Sequence, residues 1–242
     1  MPAPLYALLL APFVGSFLGV LILRLPQGRD VVWARSACDG CGARLSPLDL
    51  VPIFSFLALR GRCRRCGAPI GWFALGVELA AVAIAVGVTL SVEPDWVWAG
   101  CVLGWALLAL GWIDLRHLLL PDVLTLPLVL AGLAWTWWLD PDSVFDHAVG
   151  AALGYLVLRA VEIGYRRLRG RDGLGQGDAK LMASAGAWLG WQALPTVLVA
   201  AAVVGIAFAL VTRKSLIPLG ACIAPVLFGV WLLQQARQAL LL

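Results

Sequence analysis

Apolar runs of roughly 17–25 residues, each long enough to cross about 30 Å of hydrocarbon, recur at 4–24, 72–91, 96–113, 122–139, 146–165, 196–212 and 216–235. No other feature constrains the fold as strongly. Inside lipid no water satisfies the backbone N–H and C=O groups, so a spanning segment is either a helix or part of a closed barrel. Continuous apolar runs of this length read as helices. A shorter run at 180–194 ends against Pro195 and reads as a short span or a re-entrant helix. The expected fold is therefore an all-α polytopic membrane protein with about eight transmembrane helices. Hydrophobic residues make up 62% of the chain and charged residues 13%, about half the charged share of a soluble domain. A soluble enzyme, a disordered tail and a secreted disulfide scaffold are excluded.

Lys and Arg orient such a bundle, because they stay in the cytoplasm. No basic residue precedes the first run, and its first charge is Arg24 at the far end, the reverse of a cleavable signal peptide. Eight Arg lie from Arg24 to Arg65, and Arg116 follows the third run. Arg159, Arg166, Arg167, Arg169, Arg171 and Lys180 cluster between the fifth run and the short one, with Arg213 and Lys214 between the last two. With eight crossings and the N-terminus outside, 17 of the 18 basic residues share one face, and only Arg237 falls on the other. The opposite loops carry Glu93, Asp95, Asp140, Asp142 and Asp146 and no basic residue. Removing the short span would put Arg213 and Lys214 on the wrong face. The net charge of +4 thus reports topology, and no nucleic-acid partner is expected. GxxxG pairs at Gly15/Gly19, Gly100/Gly104, Gly150/Gly154 and Gly186/Gly190 read as helix-packing contacts.

Residues 26–71 are the one sizeable polar segment and divide the chain into a first helix (1–25), an insertion (26–71) and a membrane core (72–242). The insertion holds Cys38-x-x-Cys41 and Cys63-x-x-Cys66, with 21 residues between the pairs. Two such knuckles resemble a four-cysteine zinc ribbon, in which four thiolates close the coordination shell and the metal is structural. The topology puts them in the cytoplasm, where structural disulfides are rare. Redox-active or unpaired CxxC motifs are the alternative. Cys101 and Cys222 stand singly within spans and read as small packing residues.

Acids in or beside a span are costly, so each asks for a reason. Glu78 and Glu162 lie near the cytoplasmic ends of apolar runs and read as structural partners of Arg on that face. Asp122 follows Pro121 and reads as a cap of the fourth span, accepting backbone N–H bonds. Asp114 ends the third span, and Asp178 opens the short one in Gly173-Leu174-Gly175-Gln176-Gly177-Asp178-Ala179-Lys180. Two crossings separate them, so both carboxylates return to the same face. Two carboxylates sharing a site cannot both ionise easily, and such a pair can serve as general base and general acid. Gly175 and Gly177 suggest positive φ and close approach of a substrate backbone. The glycine spacing does not fit a phosphate-binding loop. From the residues alone, amide hydrolysis stands beside ion coupling in a transporter through Asp114 and Asp178. A membrane-anchored zinc scaffold is a third reading, but it leaves the glycine–aspartate loop unused.

These motifs together resemble the type IV prepilin peptidases, nearly end to end. Gly15-Ser16-Phe17-Leu18-Gly19-Val20 through Arg24-Leu25-Pro26 is similar to the family's first span, and the CxxC pairs match its cytosolic insertion. Asp114 with Leu120-Pro121-Asp122 resembles the first aspartate motif. Gly175-Gln176-Gly177-Asp178-Ala179-Lys180 resembles the second, the GxGD motif of membrane aspartic proteases. The resemblance implies a bacterial inner-membrane endopeptidase with Asp114 and Asp178 as catalytic pair. Gly175, Gly177, Lys180, Pro121 and Asp122 would support it, and Cys38, Cys41, Cys63 and Cys66 would hold structural zinc. Its substrates would be prepilins or type II secretion pseudopilins, cut at the cytoplasmic face. N-methylation of the new terminus from S-adenosylmethionine rests on the resemblance alone. Two departures, Pro218-Leu219-Gly220-Ala221-Cys222 in place of a Phe-Gly-Pro-like stretch and Gln176 where an aromatic is common, point to altered substrate fit.

Overall fold

The computed structural model describes residues 2–170, 175–213 and 216–241. Arg171, Gly173, Leu174 and Lys214 lie outside the described residues. Nine α-helices are found among the described residues: α1 (Pro2–Arg24), α2 (Phe54–Ala58), α3 (Trp72–Ser91), α4 (Val97–His117), α5 (Asp122–Leu139), α6 (Val144–Arg169), α7 (Gln176–Leu189), α8 (Leu194–Thr212) and α9 (Leu219–Leu241). Seven helical segments, those of α1, α3, α4, α5, α6, α8 and α9, are long and apolar enough to cross a membrane. The eighth helix of the bundle, α7, has 14 residues, about 21 Å at 1.5 Å per residue. The remaining one, α2, belongs to the polar insertion.

Helix α4 is shared by two packing clusters. One face joins α1 and α3, where Ala7, Ala11, Val77, Ala81 and Ala85 meet Cys101, Trp105 and Ala109. The other joins α5, α7 and α9, where Leu103, Leu107 and Leu110 meet Leu128, Leu181, Trp188, Ile223 and Trp231. Small residues on α1 and α3 let those helices approach closely: a Cβ on Gly15 would lie 2.6 Å from the Glu78 Cα.

From Asp178 to Leu189 every residue of α7 except Lys180 is buried. On one side Trp188 donates its indole N–H to the Leu128 carbonyl at 2.8 Å. On the other, α6 comes so close that a Cβ on Gly186 would stand 2.1 Å from the Gly150 carbonyl, and one on Gly154 would stand 2.4 Å from that of Met182. Beyond the C-terminus of α7, Trp191 and Gln192 donate to Asp146, at the start of α6, at 3.3 and 3.0 Å. Helix α7 therefore runs antiparallel to α6. The registers 150/186 and 154/182 set Asp178 level with Leu158. Helix α6 continues past that level to Arg169, by about 16 Å, so the start of α7 is recessed. Packing accounts for most of the GxxxG glycines, with two exceptions. Gly19 has no neighbour within 4 Å of a built Cβ, and Gly190 caps α7 at φ +78°.

Candidate active site

Asp114 sits one turn before the end of α4, and Asp178 is the third residue of α7. Both are buried, and both line one cavity of about 280 Å³ with Leu118, Leu120, Asp122, Gly175, Gly177 and Lys180. Two helix starts supply the hydrogen bonds. The first amides of a helix have no partner within it and carry partial positive charge. In α9 the Ala221 N–H donates to Asp114 Oδ2 at 2.8 Å, and the Gly220 N–H faces both carboxylates. At α7 the Gly175 N–H donates to Asp178 Oδ2 at 3.2 Å.

A tight reversal after α4 brings these parts together. Leu118 takes a left-handed conformation (φ 52°), and its N–H returns to the Asp114 carbonyl at 2.8 Å. The turn drives Leu120 between the starts of α7 and α9. A Cβ on Gly177 would meet Leu120 at 2.7 Å, and one on Gly220 would meet it at 2.8 Å and Asp114 Oδ2 at 3.0 Å. This corrects the expectation of positive φ in the glycine loop. Gly175 has φ −77°, and Gly177 is helical with no positive φ. Their lack of a side chain serves close packing instead.

Asp122 is corrected as well. Pro121 is the N-cap of α5, and no side chain caps that helix. Asp122 instead pairs with Lys180 at 2.5 Å, tying the starts of α5 and α7 together. Glu162 meets Arg159 and Arg166 as expected of a structural acid. Among the described residues Glu78 pairs with no Arg: it accepts the Ile53 N–H at 2.7 Å and a hydrogen bond from Ser16, joining the insertion to α1 and α3. The sequence reading also missed the amides of Gly220 and Ala221, together with Cys222, which is buried within the electrostatic field of both aspartates. The signal available for the amides was the start of an apolar run immediately after Pro218.

The four insertion cysteines converge, with their Sγ atoms all within 4.8 Å of one another. Each pair sits in a small hairpin closed by one β-bridge, Ala37 to Arg44 and Arg62 to Pro69. Gly42 and Gly67 turn the chain at φ +67° and +70°. A tetrahedron with Zn–S bonds of about 2.3 Å has S–S edges of about 3.8 Å, and Cys38 and Cys66 stand 3.8 Å apart. The amides of Cys66 and Arg65, then the Cys38 thiol, pull the Cys63 thiol down to about 6. Cys66 also receives an amide, that of Ala68, but the Cys41 thiol, burial and the thiols of Cys63 and Cys38 together outweigh it and push Cys66 up to about 11. Four thiols so close conflict over ionisation, and a divalent cation resolves the conflict. The cluster can bind zinc.

The bacterial peptidase A24 N-terminal domain matches residues 9–92, and the type IV leader peptidase family matches residues 101–210. A relative from Aeromonas hydrophila is 40% identical over 217 residues, covering 79% of this chain and 75% of its own. The chain belongs to the type IV leader peptidase family. A relative from Burkholderia pseudomallei (strain 1026b) is 40% identical over 232 residues, covering 85% of this chain and 75% of its own. One from Dickeya chrysanthemi is 36% identical over 259 residues, covering 97% and 91%. All three bear the name prepilin leader peptidase/N-methyltransferase. No solved structure matches the chain significantly. Seven apolar helices and this family make the protein a multi-pass membrane peptidase of the bacterial inner membrane.

Proposed function

We propose that the protein is an aspartic endopeptidase that removes the short basic leader from prepilins or type II secretion pseudopilins and then methylates the new N-terminus. The observation that carries this reading is the pair of buried carboxylates lining one recessed cavity, held by the amides of two helix starts. One carboxylate takes a proton from a water as the water adds to the scissile carbonyl. The other, protonated, gives its proton to the departing amide nitrogen as the C–N bond breaks. Amides and the Leu120 wedge fix the geometry of the two carboxylates. Pro121 starts α5, and the Asp122–Lys180 pair closes the rim of the cavity. Coupling acids of a transporter would sit midway along helices, whereas Asp114 and Asp178 sit at helix ends.

The one-sided distribution of Lys and Arg supports an N-terminus outside, with the aspartates and the insertion 26–71 at the cytoplasmic face. Residues 1–25 then form the first transmembrane helix and 72–242 the catalytic core. Cys38, Cys41, Cys63 and Cys66 hold one structural Zn²⁺. S-adenosylmethionine supplies an electrophilic methyl group: the neutral amine bonds to it, the C–S electrons stay on sulfur, and a proton leaves the amine. The test is incubation of purified protein with a prepilin and S-adenosylmethionine, with products weighed by mass spectrometry. Asp114→Asn and Asp178→Asn should each lose cleavage by at least about 10³-fold while unfolding at the wild-type temperature. Full cleavage by either variant refutes the assignment.

A further inference from the structure

A polar cavity of about 270 Å³ lies at the far end of the bundle from the aspartates. Helices α4, α5 and α7 reach both places. At one end they carry Asp114, Asp122 and Asp178, and at or just beyond the other Trp96, Asp140 and Trp188 line this cavity. Helix α4 has 21 residues, about 32 Å, close to the hydrocarbon thickness of about 30 Å. The two cavities therefore open at opposite membrane surfaces. We propose that this cavity binds the phosphoethanolamine headgroup of a phospholipid in the leaflet opposite the aspartates.

Such a headgroup joins a phosphate to a primary ammonium, and the cavity holds a counter-charge for each. Asp140 and Arg237 both line it, yet among the described residues neither forms an ion pair, with the other or with any third group. An acid and a base that face one cavity without meeting suit a zwitterion placed between them. Arg237 is also the exception to the charge pattern, since the other 17 of the 18 Lys and Arg lie on the aspartate side. A phosphate gives that guanidinium a partner, and Gln235 and Gln238 beside it on α9 line the same cavity and add amide donors. On the ammonium side, Trp96 and Trp188 offer aromatic faces, which attract such cations. The Asp140 carboxylate is steadied by the Ser143 hydroxyl, which donates to it at 2.7 Å. His147 Nδ1 lies 3.0 Å from the Ala187 carbonyl. A carbonyl only accepts, so Nδ1 carries the hydrogen and the neutral ring offers Nε2 as a further acceptor.

The surroundings point to a lipid as the source of the headgroup. Trp137 and Trp138, at the same end of α5, are exposed, and Trp concentrates at the level of the headgroups. The largest cavity of the described residues, about 420 Å³, is by contrast apolar and reaches Gly111 and Ala221, so it belongs with the aspartate site. A headgroup held against Trp188 would brace the last turn of α7, the helix that carries Asp178 at its other end.

The test is native mass spectrometry of the purified full chain, stripped of lipid and titrated with phosphatidylethanolamine, phosphatidylglycerol or soluble glycerophosphoethanolamine. One phosphatidylethanolamine should bind at least about tenfold more tightly than phosphatidylglycerol, which lacks the ammonium. It should also bind more tightly than the soluble headgroup, which lacks acyl chains. Asp140→Asn should reduce phosphatidylethanolamine to the level of phosphatidylglycerol, an effect that a merely structural Asp140 would not produce. Arg237→Gln, at an exposed position, should weaken both lipids at least about tenfold, and keeps the test open should Asp140→Asn fail to fold. Adducts of a photoactivatable phosphatidylethanolamine should map to the last turns of α5 and α9. Equal binding of the two lipids by wild-type protein, adducts confined to the aspartate end, or unchanged lipid binding by folded Arg237→Gln overturns the site. Binding of the soluble headgroup as tightly as the lipid overturns the lipid as its source.

Discussion

Replacing Gly186 with Ala should disable the peptidase without touching its cavity. The added Cβ would stand 2.1 Å from both the carbonyl carbon and oxygen of Gly150 and 2.6 Å from the Ala151 nitrogen. All three are backbone atoms of α6, so no side chain can swing aside. Relief to an ordinary 3.4 Å contact requires α6 and α7 to part by about 1.3 Å, the difference between that contact and the built distance. Closely packed interiors transmit such a shift instead of absorbing it. Asp178 lies two turns along the same helix, and its partner Asp114 is fixed separately by the amide of Ala221. A misplacement of about 1 Å between catalytic groups costs on the order of 10²-fold in rate, and overpacking costs about 1–3 kcal/mol of stability.

The assay is leader cleavage by purified variants in one detergent, with thermal unfolding measured in parallel. Gly164→Ala is the control. It lies on α6 with no atom within 4 Å of its built Cβ, and Ala in place of a helical Gly adds stability of about 1 kcal/mol at most. It should cleave at the wild-type rate, and Gly186→Ala should fall about 10²-fold. A Gly186→Ala protein with a lowered unfolding temperature but a wild-type rate would refute the link between α6–α7 spacing and carboxylate geometry.

Leu120→Ala removes the buried wedge between Gly177 and Gly220; it should cost about 2–5 kcal/mol in thermal unfolding and reduce cleavage together with it. Lys180→Gln breaks a pair whose Asp122 side chain is 57% exposed, so it should cost under about 1 kcal/mol and lower cleavage less than tenfold in a steady-state assay. Metal analysis should find about one Zn per chain. Chelation at constant pH should open residues 26–71 to limited proteolysis while the membrane helices stay protected, and an unchanged digestion pattern after metal loss would count against a structural role.

The bundle was legible in the sequence because lipid imposes one simple rule on backbone polar groups, and apolar length reports it directly. The short run at 180–194 showed the limit of that rule. Helix α7 starts at Gln176 and stops at Leu189 because glycine contacts with α6 and the Asp122–Lys180 pair determine where it lies, and neither enters a hydropathy count. The convergence of Cys38, Cys41, Cys63 and Cys66 was legible because ligand spacing is local to each hairpin. The partner of Glu78 was not, since the Ile53 amide is a backbone donor 25 residues away and leaves no mark in side-chain patterning.

The same distinction bears on the departures from the family pattern. In sequence, Pro218-Leu219-Gly220-Ala221-Cys222 points to altered substrate fit. What reaches Asp114 is the Ala221 amide, together with that of Gly220. A helix start presents such amides for nearly any sequence that can begin a helix, so side chains in this stretch can vary while the carboxylate keeps its donors. Gly220 is the exception, because a Cβ there would press on both Leu120 and Asp114. The segment therefore constrains Gly220 by its contacts with Leu120 and Asp114, while the amide donors themselves require only that α9 start here. That is why a stretch unlike the family's usual one retains the glycine and the geometry around the aspartates.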